Sequence, residues 1–160
     1  MAIDYFNSES RLRTFFSRIA LKSREAQLEI LLDYFQPLLK PGFRVLDLGT
    51  TPDTTLPDSN FFIKSLMAYD VDITLCSIED CREFAKTIDA EFVFYEDLMR
   101  DGPKEKWDFV ISAATLEHVG DWREQQRFVN LIKSVADSYF LTTPNRWFPV
   151  EFHTFIPFLH

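Results

Sequence analysis

The feature that most constrains this chain is a change of hydrophobic period, repeated along most of its length. Residues 8–21 place Leu12, Phe15, Phe16, Ile19 and Ala20 at i, i+3, i+4, i+7 and i+8, the spacing of an amphipathic helix. A second helix is expected from about Ser23, with Leu28, Leu31, Leu32, Phe35, Leu38 and Leu39 on one face and Pro41-Gly42 as its stop. Short apolar runs then take over. Residues 43–49, 72–78, 91–95, 107–113 and 138–142 read as strands. Residues 61–69 and 80–88 read as helices between them, and 100–106, with Gly102-Pro103, as a loop. Asp121 followed three residues later by Glu124 has the form of a capping box opening a last helix. Phe128, Val129, Ile132, Val135 and Ala136 supply that helix's apolar face. Strands this apolar need cover on both faces, and strands alternating with helices form parallel sheets through right-handed crossovers. The expected fold is α/β: a doubly wound, mostly parallel sheet of about five strands with helices on both faces.

Composition narrows what such a sheet can serve. With 160 residues the chain has the size of one domain, expected to comprise N-terminal helices (1–40), a core (41–145) and a C-terminal segment (146–160). A hydrophobic fraction of 46%, with 17 Phe, excludes disorder. The formal net charge of −8 argues against a nucleic-acid partner, which needs a basic patch to neutralise phosphates. There are only four glycines, Gly42, Gly49, Gly102 and Gly120, and no two make G-x-G-x-x-G or a P-loop. Loops built to cradle a diphosphate are therefore excluded. Cys76 and Cys81 read as reduced, buried thiols, and neither they nor the histidines have metal-ligand spacing. The N-terminus lacks a basic segment followed by an apolar one, and no apolar run reaches the roughly 18 residues of a membrane span. A cytoplasmic location is expected.

In a doubly wound sheet the ligand sits beyond the carboxyl ends of the strands. The polar residues at those exits are Asp47-Leu48-Gly49-Thr50-Thr51, Ser77-Ile78-Glu79-Asp80, Glu96-Asp97, Ser112 to Glu117-His118, and Thr142-Thr143-Pro144-Asn145. Acidic groups stand at four of the five. That is the wrong sign for a phosphate and the right one for a ligand with hydroxyls and a positive charge.

Val45-Leu46-Asp47-Leu48-Gly49, followed by a loop and a helix, resembles the first motif of the class I S-adenosylmethionine-dependent methyltransferases. Trp107-Asp108-Phe109-Val110-Ile111-Ser112 running into Leu116-Glu117-His118-Val119 is similar to their fourth-strand motif, with the Glu-His-Val ending of the type 11 branch. Residues 142–149, Thr-Thr-Pro-Asn-Arg-Trp-Phe-Pro, with Glu151-Phe152-His153-Thr154, resemble the segment after the fifth strand in one subgroup. The resemblance covers roughly residues 24–160 and implies a Rossmann-like fold, S-adenosylmethionine as cofactor and methyl transfer to a small-molecule acceptor.

Carried onto this chain, it implies cofactor contacts from Asp47, Gly49, Thr50, Thr51, Ser112 and Ala113, from Glu79 or Asp80 toward the ribose, and from Asp97 toward the adenine. His118 and His153 are the candidate catalytic bases, since imidazole titrates near neutral pH. Glu117, Asn145, Arg146 and Trp147 are candidates for the acceptor side. The chain departs from the family in three ways. Thr51 stands where a second glycine is usual, Ser77 stands where an acidic residue usually ends the second strand, and two further strands are not present, so the sequence reads as C-terminally shortened. The alternative reading from another class is a cofactor-binding or interaction module without catalysis. A nucleotide- or NAD-binding Rossmann protein is a third, disfavoured by the missing glycine fingerprint. The aromatic C-terminal segment, with Trp147, Phe148, Phe152, Phe155 and Phe158, is expected to favour self-association if exposed.

Overall fold

The computed structural model describes residues 11–57 and 59–143, with side chains from residue 21 onward. It opens with one helix, α1 (Arg11–Phe35), where the sequence suggests two. The expected break at Leu21-Lys22-Ser23 contains neither Pro nor Gly, and an interior Ser costs a helix only about 0.5 kcal/mol. The helix stops at Phe35, short of Leu39, because Pro37 cannot donate the next backbone bond. A 3-10 turn, Gln36–Leu38, closes the end, with the Leu39 N–H donating to the Gln36 carbonyl at 3.2 Å. Leu38 falls on that turn and is exposed, off the buried face expected for it.

Five strands follow: β1 (Phe43–Leu48), β2 (Val71–Ser77), β3 (Glu91–Phe94), β4 (Trp107–Ala113) and β5 (Ala136–Thr142). They form one sheet in the order β3-β2-β1-β4-β5, every pair parallel. The helices between them are α2 (Phe61–Leu66), α3 (Arg82–Thr87), α4 (Tyr95–Asp101) and α5 (Trp122–Val135). Helix α4 is absent from the sequence reading, which ran the third strand to Tyr95 and placed Glu96-Asp97 at its exit. Phe94 is the last extended residue, the acidic pair fills the first turn of α4, where the helix dipole favours negative charge, and Gly102 at φ +68° ends the helix. The capping box of α5 forms as expected: Asp121 Oδ1 accepts from the Arg123 and Glu124 N–H groups at 2.8 and 3.1 Å, and Glu124 Oε2 accepts from the Asp121 N–H at 2.9 Å.

Alternation along the strands divides the core between the two faces of the sheet. Val45, Ile73, Leu75, Phe109 and Ile111 pack with Leu31 and Phe35 of α1, Phe62, Ile63 and Leu66 of α2, and Phe84 of α3. Leu46, Leu48, Cys76 and Val110 pack with Leu98 of α4 and with Phe128, Ile132 and Val135 of α5. Phe35 meets Phe43 and Phe109 edge to face, with ring centroids 5.4 Å apart in each pair. This anchors the C-terminal end of α1 at the entry end of the sheet, so α1 runs antiparallel to β1. From β1 the chain winds outward through β2 to β3, then returns to place β4 on the other side of β1. The strand order reverses between β1 and β4, and that is where a doubly wound sheet opens a crevice.

A cavity over the exits of strands β1, β2 and β4

A cavity of about 540 Å³ lies over this reversal, within the range of small-molecule sites. Asp47, the fifth residue of β1, is carried to its edge by the strand and stays buried, 8% exposed. Thr50 Oγ1 donates to Asp47 Oδ2 at 2.6 Å. Burial pushes the carboxyl up to about 6, and the Thr50 hydrogen bond offsets only part of that rise.

Gly49 follows at φ +106°, a conformation open to glycine at little cost. It also faces Thr115 at close range: a Cβ on Gly49 would lie 2.1 Å from Thr115 Oγ1. Thr51, in the place of a second glycine, is held by the side chain of Asn60. The Thr51 N–H donates to Asn60 Oδ1 at 3.1 Å, and Asn60 Nδ2 donates to the Thr51 carbonyl at 2.8 Å. Asn60 itself sits at φ +52°, which Asn tolerates better than most residues. An amide side chain therefore braces the loop as a second strand of backbone would.

At the exit of β2, Ser77 is buried and its Oγ accepts from the Glu79 N–H at 3.1 Å, turning the chain. Glu79 consequently borders the cavity. Asp80 does not. It bonds the Arg82 guanidinium through both oxygens, and those bonds, with the Arg82 N–H, hold its carboxyl down at about 2. Of the two carboxylates the sequence left open, only Glu79 faces the cavity.

Gly49, Thr50, Thr51, Ala113 and His118 also line it. Asp97 lies away from it in the first turn of α4, paired with Arg100 at 2.8 Å. Ser112 is fully buried and staples β4 to β1, its Oγ donating to the Leu48 carbonyl at 2.8 Å. Glu117 is half-buried outside the lining, and its Oε2 is buried without a hydrogen-bond partner. His153, Asn145, Arg146 and Trp147 lie outside the described residues. The cavity also takes in Arg24 and Asn60, which sequence reasoning missed. Asn60 carried one signal, an Asn just ahead of a helix, but its partner nine residues back was not legible.

Cys76 lines the cavity floor, its thiol pushed up to about 12 by burial and by the neighbouring Asp47 and Glu96 charges. Burial also raises Cys81, whose Sγ approaches the Thr50 carbonyl at 3.7 Å. Both are free thiols that stay protonated at neutral pH. Among the described residues no group of three His, Cys, Asp or Glu could hold a metal ion, and no helix is long and apolar enough to cross a membrane.

No protein-family model matches the chain, and no curated protein does. Solved structures do. The chain is similar to a cyclopropane-fatty-acyl-phospholipid synthase-like protein from Lactobacillus casei (TM-score 0.54, 15% identity, 81% of this chain and 52% of that one). It is similar to YjhP from E. coli (TM-score 0.52, 16% identity, 79% and 52%). It is also similar to the N-methyltransferase NodS from Bradyrhizobium japonicum in complex with S-adenosyl-L-homocysteine (TM-score 0.51, 12% identity, 81% and 59%). The fold is that of the class I methyltransferases. This chain spans between half and three fifths of the length of these three proteins.

Proposed function

We propose that the chain binds S-adenosylmethionine in the cavity over β1, β2 and β4 and serves methyl transfer to a small-molecule acceptor. The observation that carries this reading is the chemistry of the cavity: Asp47, Glu79 and the side-chain-less Gly49 line it, and the sequence has no diphosphate-cradling glycine motif. A cationic, hydroxyl-bearing nucleoside without phosphate fits that set. S-adenosylmethionine supplies an electrophilic methyl group on a sulfonium.

The chain's own residues do the rest. Asp47, in its ionised form, offers negative charge where a ligand's cationic groups are held. Glu79 accepts hydroxyl hydrogen bonds at the β2 exit. Gly49, Thr50 and Thr51, the last fixed through Asn60, line the cavity where the ligand is aligned. Such a transfer rests mainly on holding acceptor and methyl in line, and a positioned loop contributes to that. His118, which lines the cavity from the 3-10 turn Leu116–His118 after β4, takes a proton from an acceptor hydroxyl or amine in this reading.

Calorimetric titration with S-adenosylmethionine, S-adenosylhomocysteine and NAD tests the reading. Heat from the first two and none from NAD is the expected result. Heat from none, or from NAD alone, overturns it.

A further inference from the structure

One hydroxyl governs the carboxyl that the cavity offers to a cation. Thr50 follows Asp47 by three residues, and both side chains are buried. Two neighbouring elements hold Thr50 in place. Its N–H and that of Gly49 both donate to the Cys76 carbonyl of β2, at 3.3 and 2.9 Å. Its own carbonyl accepts from Cys81 Sγ, at the start of α3, at 3.7 Å. So held, Thr50 Oγ1 lies 2.6 Å from Asp47 Oδ2 and 3.3 Å from the Asp47 carbonyl, and its single proton goes to the nearer oxygen. A separation of 2.6 Å is that of a hydroxyl donating to an ionised carboxylate, a stronger bond than one between neutral groups.

The other titratable groups around Asp47 do not share that role. Cys76 and Cys81 are neutral thiols beside it. Arg24 of α1, Asp53 of the loop, Glu79 after β2, Tyr95 of α4 and His118 after β4 line the same cavity, and α2 and α5 add only apolar side chains. Among the described residues only Thr50 forms a side-chain hydrogen bond with the Asp47 carboxyl. Oδ2 is thereby committed, and Oδ1 is the oxygen left for a ligand.

We propose that Thr50 is a positioning residue: by donating to Oδ2 it keeps Asp47 ionised and leaves Oδ1 to meet a cationic group of the ligand. The proposal rests on the reading of the cavity as a cofactor site and deepens it, because a neutral side chain then sets the pH range over which the cavity holds a cation. Burial raises the carboxyl to about 6 even with this bond in place. Without the hydroxyl, burial acts unopposed and carries the carboxyl into the neutral range.

Binding of S-adenosylhomocysteine is measured by calorimetry from about pH 5 to about pH 9 for the unaltered chain, Thr50→Val and Thr50→Ser. Thr50→Val keeps the shape and removes the hydroxyl. It is expected to move the midpoint of the affinity profile up by roughly one to two pH units, so that affinity falls about two- to tenfold at neutral pH and hardly at all near pH 9. Thr50→Ser keeps the hydroxyl and should keep the midpoint. Thr50→Ala, which removes the same hydroxyl, must shift the midpoint as well and replaces a valine chain that fails to fold. An unmoved midpoint overturns the assignment, and so does a loss that is the same at every pH, which is the mark of packing alone. Urea unfolding supplies an arm that needs no ligand. A carboxyl pushed further up opposes the fold more as pH rises, so Thr50→Val must lose more stability at about pH 8 than at about pH 4, and that excess must vanish beside Asp47→Asn. If the excess is found but the unaltered chain binds no S-adenosylhomocysteine, Thr50 governs Asp47 as proposed and it is the cofactor reading that fails. Equal losses at the two pH values overturn the role of Thr50 itself.

Discussion

Two carboxylates at opposite ends of the same sheet, Asp108 and Asp47, are treated in opposite ways. At the entry end, acids meet bases. Asp108 lies 2.5 Å from Lys40 Nζ and accepts from the Arg44 N–H at 2.9 Å; Arg44 reaches Glu105 at 3.0 Å, and Lys106 reaches Asp137 at 3.2 Å. Burial works to raise Asp108, but Lys40 and Arg44 outweigh it and hold the carboxyl below its usual value. At the exit end Asp47 has a hydroxyl for company and is pushed up to about 6. Asp108 is arranged for stability. Asp47 is left without a basic partner, which is how a site that awaits a ligand differs from a scaffold.

Substitutions that exploit this contrast fall in a clear order. The largest effect is expected from Gly49→Ala, which forces a side chain into a positive-φ position and into Thr115. Strain and overpacking together should cost roughly 2–6 kcal/mol in urea unfolding and abolish binding of S-adenosylhomocysteine. Binding at undiminished affinity would show that the loop can move away from Thr115.

Asp47→Asn should do the reverse to stability. Burial holds the folded carboxyl at about 6, above the ordinary carboxylate value near 3.8, so its ionisation works against the fold. That penalty is absent below about pH 4, grows through the interval to about 6, and is full at neutral pH, where the amide should gain up to about 3 kcal/mol. The gain should disappear when unfolding is repeated near pH 4. In the unaltered chain, affinity for S-adenosylmethionine should fall as pH drops through 6 and the carboxyl becomes neutral. A flat pH profile would remove Asp47 from the site.

Asp108→Asn, the matching change at the entry end, should destabilise by roughly 1–2 kcal/mol. Asp108 is held low when folded, so its contribution is present above the unfolded value and lost as pH falls through the lower folded one. Opposite signs for the two Asp→Asn changes are the sharpest form of the comparison. The smallest effect is expected from Asp80→Asn, which breaks an exposed pair with Arg82 away from the cavity. Neither melting temperature nor ligand affinity should change measurably, and a loss of affinity would reinstate Asp80 as a ligand contact.

The sheet was legible because short apolar runs and period-3.6 patterns are local, and so was the cap of α5, whose two partners lie three residues apart. The joined α1 was missed because its apolar stripe lapses between Ala20 and Leu28, although no breaker stands there. Helix α4 was missed because seven residues with one buried side chain, Leu98, leave little periodicity to read. In the site, strand exits pointed to Asp47, Gly49 and Glu79, since strand direction alone brings them to one edge. Asp80 and Asp97 looked equivalent to Glu79 until Arg82 and Arg100 were seen to occupy them. Arg24 was present in the helical stripe and passed over, because a charged residue extending an apolar face reads as the end of that face.

The clamp of Asn60 on Thr51 has a consequence for the tempo and thermodynamics of recognition. Glycine-rich loops surrender much backbone freedom when they close on a ligand. Here Thr51 and its amide brace have already given that freedom up in folding. Association should therefore show little of the entropic loss that accompanies loop ordering, and its rate should rise linearly with ligand concentration, without the plateau that a slow loop rearrangement imposes.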